Sequence, residues 1–228
     1  MEDMVMEGRN AIRSRSFGEA PVTGTDHDRV GAIEFMGAPM SFERDCEIYF
    51  EGEPADYLYK LVSGTVRTCK LLADGRRQIG GLYLPGDVFG LETGDSHTLS
   101  AEAITPCEVL VIGRSALVEL AERDHEVARR LWELTGSELR RMQDHILLLT
   151  KSAPARLAAF LLEMAERGHT GNAVELPMSR QDIADYIGLT VETVSRTFTN
   201  LENASAIELP SSRHVVLRDR LALRRLNS

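Results

Sequence analysis

Ser179-Arg-Gln-Asp-Ile-Ala-Asp-Tyr-Ile-Gly-Leu-Thr-Val-Glu-Thr-Val-Ser-Arg-Thr-Phe198 reads as two short helices joined by a tight turn. Ser179, with Asp182 three residues on, has the form of a capping box; Ile183, Ala184 and Ile187 give the first helix a buried face. Gly188 suits the turn, and Thr190 is placed to cap the second helix. Val194, Phe198 and Leu201, at i, i+4 and i+7, pin that helix to a core and leave Val191, Glu192, Ser195, Arg196 and Thr199 on the opposite face. In a DNA major groove Arg pairs bidentately with guanine, Glu accepts from cytosine N4 and Ser reaches either edge, so Glu192, Ser195 and Arg196 are the candidate base readers. The ordinary alternative is an i, i+4 surface ion pair between Glu192 and Arg196, worth about 0.3 kcal/mol.

Downstream, Ala206-Ile-Glu-Leu209 and Val215-Val-Leu217 flank Pro-Ser-Ser-Arg-His and predict a β-hairpin wing whose tip carries Arg213 and His214. Both suit phosphate. Ser179, Arg180 and Gln181 at a helix start are placed for backbone contacts that fix register without reading bases, as are Thr190, Val191, Thr193 and Thr199 around the second helix.

Upstream, Pro154 in Ser152-Ala-Pro-Ala-Arg156 predicts a break and a new helix to about Arg167, with Val174-Glu-Leu176 as a short strand after it. From Ser115 to Lys151 apolar residues recur every three or four positions. The stretch Glu126–Leu149 would be about 36 Å long as a helix, more than a small domain needs for one buried stripe. Dimerisation through Leu131, Leu134, Leu139, Met142, Ile146 and Leu149 is the expected use, with Glu138 and Arg141 interrupting the seam; packing wholly within its own chain is the alternative.

From Met36 to about Ile112 the pattern is short apolar runs punctuated by glycine, which predicts an antiparallel barrel or sandwich. Asp74-Gly75 between two such runs signals a hairpin with a type I′ turn. Residues 1–30 are polar and broken by Gly and Pro, and are expected to form a mobile arm. The organisation is therefore α+β: arm 1–30, barrel 31–114, helical region 115–150 and winged helix-turn-helix 151–228.

The 228 residues carry 26 Lys+Arg and 35 Asp+Glu, a net charge of −9 that by itself argues against nucleic-acid binding. The acidity lies upstream. Residues 152–228 hold nine basic side chains, all Arg, against nine acidic ones, and guanidinium is the better bidentate reader of phosphate and guanine. No apolar run approaches a membrane span, and the acidic start, Met1-Glu-Asp-Met-Val-Met-Glu, lacks signal-peptide character, so a cytoplasmic protein with no membrane partner is expected. Cys46, Cys69 and Cys107 lack metal-ligand spacing and are expected to be small core residues, a redox thiol remaining the alternative at Cys69, which Lys70 follows; no metal or cofactor is expected. Enzymatic motifs (nucleophile elbow, phosphate loop, HExxH) are missing from the sequence.

Together, the glycine-punctuated barrel, the long helix and the winged helix-turn-helix with Glu192-Thr-Val-Ser-Arg196 resemble the Crp/Fnr family of bacterial transcription regulators, over residues 36–228. Glu-x-x-Ser-Arg is similar to the Fnr and FixK branches, and the C-terminal segment beginning Ser205-Ala-Ile-Glu-Leu-Pro looks most like FixK. The resemblance implies a jelly-roll, cyclic-nucleotide-binding-like barrel and a homodimer on a TTGA-N-TCAA-type palindrome. It also implies an activator that recruits RNA polymerase to genes of microaerobic respiration or nitrogen fixation. Two departures bear on the effector. Residues 1–35 contain no cysteines for an Fnr-type iron–sulfur cluster. The phosphate cassette reads Phe89-Gly-Leu-Glu-Thr-Gly-Asp-Ser-His-Thr98, with Leu91 where the family's cyclic-nucleotide receptors have Glu and His97-Thr98 where they have Arg-Ser. No cyclic nucleotide is expected to bind. His97 is expected to be solvated, haem ligation being the alternative, and a barrel gated by an unknown small molecule is the competing functional reading.

Overall fold

The computed structural model describes residues 37–92, 94–168 and 171–227, so the expectation of an arm over residues 1–30 lies outside the described residues. Eight strands come first: β1 Ala38–Phe42, β2 Glu47–Tyr49, β3 Tyr57–Ser63, β4 Val66–Leu71, β5 Arg77–Tyr83, β6 Val88–Phe89, β7 Ser100–Ala103 and β8 Cys107–Gly113. They form two four-stranded antiparallel sheets, ordered β1-β8-β3-β6 and β2-β7-β4-β5. The sheets do not close into a barrel; they face each other as a jelly roll, and inward residues of both, among them Tyr49, Tyr59, Leu61, Val66, Tyr83 and Val109, share one core.

The β4–β5 hairpin stands where Asp74-Gly75 placed it, with a different turn. Leu72 donates to Arg76 O and Gly75 to Leu72 O, so Ala73, Asp74 and Gly75 form a three-residue loop in which Gly75 takes φ +80°. Asp74 does not have positive φ, which a type I′ turn requires; its carboxylate instead accepts from the Arg76 amide. Further along, Thr68 pairs with Gly81 and Cys69 with Ile79, leaving Gly80 as a bulge. This extra residue lets Ile79 and Leu82, three apart, face the same outer side as Arg67 and Arg77.

Two helices follow, α1 Arg114–Arg123 and α2 His125–Leu148, separated at Asp124, whose side chain accepts from the Glu126 amide to cap α2. Leu117 and Val127 pack with Leu58 and Ile112 on the outside of the first sheet. The C-terminal unit comprises α3 Ala153–Arg167, β9 Ala173–Glu175, α4 Arg180–Ile187, α5 Val191–Asn203, β10 Ile207–Ser211, β11 His214–Leu217 and α6 Arg220–Asn227. Its core is continuous with Cys69, Ile79, Leu82 and Ile104 of the second sheet, so the break in sequence near 150 is not a break in packing. Among the described residues no helix is long and apolar enough to cross a membrane.

Candidate DNA-reading surface and sensor core

Every local signal that frames α4 and α5 is realised. The Ser179 hydroxyl accepts from the Asp182 amide at 3.1 Å, while Asp182 Oδ2 accepts from the Ser179 amide at 2.9 Å, completing the box. Gly188 ends α4 at φ +64°, ψ 44°; a Cβ there would lie 3.0 Å from Leu149 Cδ2. Thr190 Oγ1 accepts from the Thr193 amide at 3.2 Å and starts α5. Val194, Phe198 and Leu201 are buried, and Glu192, Ser195, Arg196 and Thr199 are exposed on the opposite face. The Glu192–Arg196 ion pair is not made: among the described residues no salt bridge joins them. The Glu192 carboxyl is nonetheless held below its usual range by its own backbone amide, by the Thr190 hydroxyl and by the Arg196 charge. An ionised Glu192 and a charged Arg196 thus stand side by side, one accepting and one donating, as groove readout requires.

Several phosphate candidates are placed differently from the sequence reading. The Ser179 and Thr190 hydroxyls are spent on caps, Thr193 shares the Thr190 cap, and Val191 is half-buried against the core. Arg180 turns inward: its guanidinium carbon lies 3.3 Å from the centre of the Phe198 ring, Nη1 is buried without a partner, and burial lowers its pKa to about 10. Gln181 is exposed but bonded to Asp185 Oδ1 at 2.6 Å. In the wing, Ser211 pairs with His214, so the tip is Ser212-Arg213; Arg213 is exposed and His214 is half-buried in β11.

Along α2 the exposed apolar stripe is Trp132, Leu139, Met142 and Ile146, spaced seven, three and four. Trp132, 81% exposed, is absent from the residues that the sequence suggests for this face, although it continues the stripe one heptad upstream of Leu139. Leu131, Leu134 and Leu149 do not belong to this stripe. Leu131 packs against the first sheet, Leu134 lines a cleft with Val88 and Leu91, and Leu149 lies under Gly188. Glu138 and Arg141 do not lie on the stripe either: Glu138 accepts from the Tyr83 hydroxyl at 3.1 Å, and Arg141 lies 4.5 Å over the Tyr83 ring, fastening α2 to the strands.

Residues 155–226 match the Crp-like helix-turn-helix domain, and residues 39–124 the cyclic nucleotide-binding domain. The nitrogen fixation regulation protein FixK of Azorhizobium caulinodans is 52% identical over 202 residues, spanning 86% of this chain and 82% of its own. FixK of Rhizobium meliloti is 41% identical over 203 residues, 85% of this chain and 93% of its own. The solved structure of FixK2 from Bradyrhizobium japonicum superposes with a TM-score of 0.81 at 50% identity, covering 84% of this chain and 98% of that one. The chain belongs to the Crp/Fnr family of transcription regulators. It is a DNA-binding regulator and not an enzyme.

In this Crp/Fnr regulator the sensor interior is filled from within. Tyr49, Tyr59, Tyr83 and Phe89 pack with ring centroids 5.2 to 6.2 Å apart, and His97 stacks on Tyr49 at 3.6 Å. His97 is therefore not solvated: it is 2% exposed, and Nδ1 has no hydrogen-bond partner. The loop polarity that suggested solvation is local, whereas Tyr49 arrives from a distant strand. Around the cassette, Arg114 donates to the carbonyls of Ala55 and Gly94 at 3.2 and 2.8 Å and to that of Glu92, and Glu92 accepts from the Thr98 amide at 3.2 Å. These residues do not fit a cyclic phosphate: the Arg114 guanidinium at the loop is spent on backbone carbonyls, and aromatic rings occupy the space between the sheets. Cys69 and Cys107 are buried, as expected, with thiols pushed up by burial to about 12 and about 11; Cys46, expected in the core, is exposed. No group of metal-ligating side chains occurs among the described residues.

Burial lowers the pKa of His97, outweighing the opposing pull of Glu92, and it lowers that of His145, whose ring packs 4.3 Å from Tyr186. The unfolded chain thus binds more protons than the folded one below the ordinary histidine value of 6.5, and stability is lost as pH falls through that value. Thermal midpoints are expected to drop between pH 7.5 and 5.5, with His97→Phe removing its share of the slope. A midpoint that does not change across this window would mean the two rings are not held neutral.

Proposed function

We propose that this regulator binds as a homodimer to a TTGA-N-TCAA-type palindrome without a small-molecule effector and, in the cytoplasm, activates nitrogen-fixation or microaerobic-respiration genes by recruiting RNA polymerase. The observation that carries the reading is the doubly framed α5, which presents Glu192, Ser195 and Arg196 to solvent opposite a fully buried face. The exposed stripe on α2 supports the dimer, since a lone chain would leave Trp132 and Ile146 in water. The self-filled sensor core and the Arg114 clamp support the absence of an effector, because the protein's own rings and carbonyls already take the place of a nucleotide's contacts. The FixK relatives support the gene class. The competing ligand-gated reading draws on a cleft of about 220 Å³ between α2 and the first sheet, lined by Leu91, Leu134, Ser137, Glu138 and Arg141.

Fluorescence anisotropy of the full chain, with nothing added and at fixed near-physiological salt, tests both. Selective binding to the TTGA-N-TCAA duplex over a scrambled one is expected, with no change on adding cyclic nucleotide. Arg196→Ala is expected to cost about 1 to 3 kcal/mol of specific affinity and to relax the guanine preference. Equal affinity of variant and wild type for the palindrome would remove Arg196 from the readout, and selectivity that appears only with an added small molecule would favour the gated reading.

A further inference from the structure

The outer face of the β4–β5 hairpin carries two arginines that meet the start of α4. Arg67 donates through Nε to Glu102 at 2.7 Å and through Nη1 to Asp182 Oδ1 at 2.9 Å. Arg77 donates through Nη2 to the same Asp182 oxygen at 2.6 Å and through Nε to Asp185 Oδ2 at 2.9 Å, and the neighbouring Gln78 amide donates to Asp185 O at 2.8 Å. Asp182 divides its carboxylate. Oδ2 closes the Ser179 capping box and Oδ1 takes both arginines, in a site where the Asp182 and Arg67 side chains are 6% and 11% exposed. Burial pushes the Asp182 carboxyl up, but the Ser179 hydroxyl and amide and the two arginines pull it further down, so the bridge is fully charged at neutral pH.

We propose that Arg67 and Arg77 are positioning residues that fix the separation of the two reading helices in the dimer. This rests on the dimeric reading of the palindrome given above. A continuous path runs from the α2 seam, through Tyr83 with Glu138 and Arg141, across the second sheet to Arg67 and Arg77, and through Asp182 to α4, which shares its core with α5. α2 also meets the reading unit through the segment 149–152, through the His145 ring against Tyr186, and through Asp87, which Arg141 and Arg167 both contact; among the described residues the arginines paired with carboxylates of α4 itself are Arg67 and Arg77. Apolar contact from Ile79 and Leu82 also holds the unit to the sheet, but apolar burial is non-directional, whereas guanidinium–carboxylate pairs set an angle. Without them each reading helix keeps its own shape and base preference, while its distance from its twin across the dimer is less defined. Dimeric helix-turn-helix proteins read half-site spacing as well as sequence, so spacing is the property that these arginines govern.

The test compares the full chain and an Arg67→Met, Arg77→Met variant on duplexes with intact half-sites and a spacer of the preferred length or one base pair longer. Wild type is expected to discriminate between spacers, and the variant to lose roughly tenfold of that discrimination, within the range for coupled contacts. Preference for intact over scrambled half-sites is expected to stay. Leu161→Ala, a core change that removes none of these hydrogen bonds, is expected to weaken binding to both spacers alike, which separates positioning from lost stability. Should the double variant fold poorly, Arg77→Met alone is read the same way. A second readout needs no DNA: spin labels at Asn200→Cys on the two copies of α5, with Cys46→Ser, are expected to give a distance distribution that broadens in the arginine variants. Unchanged width and unchanged spacer ratio in a folded variant would overturn the proposal. If wild type fails to select the palindrome, the reading of the DNA site falls, and the label width still decides the role of the arginines.

Discussion

Ile146→Glu is expected to leave the chain folded, make it monomeric and weaken its binding to a palindromic duplex by about 10²- to 10⁴-fold, the gain that joining two modules gives over one. Ile146 is 63% exposed in the single chain, so replacing it removes little packing within the protomer. In the proposed dimer, with the two copies of α2 parallel across a two-fold axis, this position would face its own copy, and two carboxylates would then be held beside the apolar Leu139 and Met142 with no cation of that stripe to pair them. Sedimentation equilibrium reads the oligomeric state, and anisotropy on whole and half palindromes reads the binding. Whole-site affinity is expected to fall towards that of the half-site, with the preference for the correct half-site kept, because Glu192, Ser195 and Arg196 lie on a different helix.

Leu134→Glu provides the contrast. Leu134 lies half-buried over its own sensor sheet, so a charge there is expected to lower the thermal midpoint rather than to split the dimer. A dimeric Ile146→Glu protein with undiminished affinity would take the seam off this face of α2.

The residues legible in the sequence are those whose partners lie within a turn or two of chain. Ser179 with Asp182, Gly188, and Thr190 with Thr193 interact over three or four residues, and all three features occur where the sequence placed them. The Asp74-Gly75 hairpin was locatable for the same reason, but its turn type depended on whether Asp74 adopts positive φ, which composition does not determine. Trp132 was legible in principle, one heptad from Leu139, but the leucines at 131 and 134, which read as part of the same stripe, lie towards the face that the sheet covers. The Arg67–Asp182 bridge spans 115 residues, and the His97–Tyr49 stack joins a cassette loop to β2, far back in the chain. Such contacts leave no periodic trace, because each depends on how two separately formed elements meet.

Arg156 is another such case, and its replacement is expected to destabilise the C-terminal unit strongly. Its guanidinium donates to four carbonyls: Lys151 at 2.8 Å, Leu149 at 2.6 Å, Ile187 at 3.0 Å and Gly188 at 2.9 Å. Two of these follow the end of α2 and two end α4, so one cation satisfies acceptors that both helices leave open and sits at the negative end of both dipoles. Arg156→Ala is expected to lower unfolding free energy by about 3 kcal/mol, since hydrogen bonds to a charged group contribute about 1.5 to 3 kcal/mol each and water recovers part of the loss at these half-exposed ends. Denaturant unfolding followed by circular dichroism measures it. Arg156→Lys is expected to recover less than half, because one ammonium on a flexible stem cannot reach carbonyls on two helices at once as the planar fork does. Full rescue by Lys would reduce the role of Arg156 to charge, and a loss below about 1 kcal/mol in the Ala variant would mean that water replaces the fork and that the turn at Gly188 holds α4 to α2 without it.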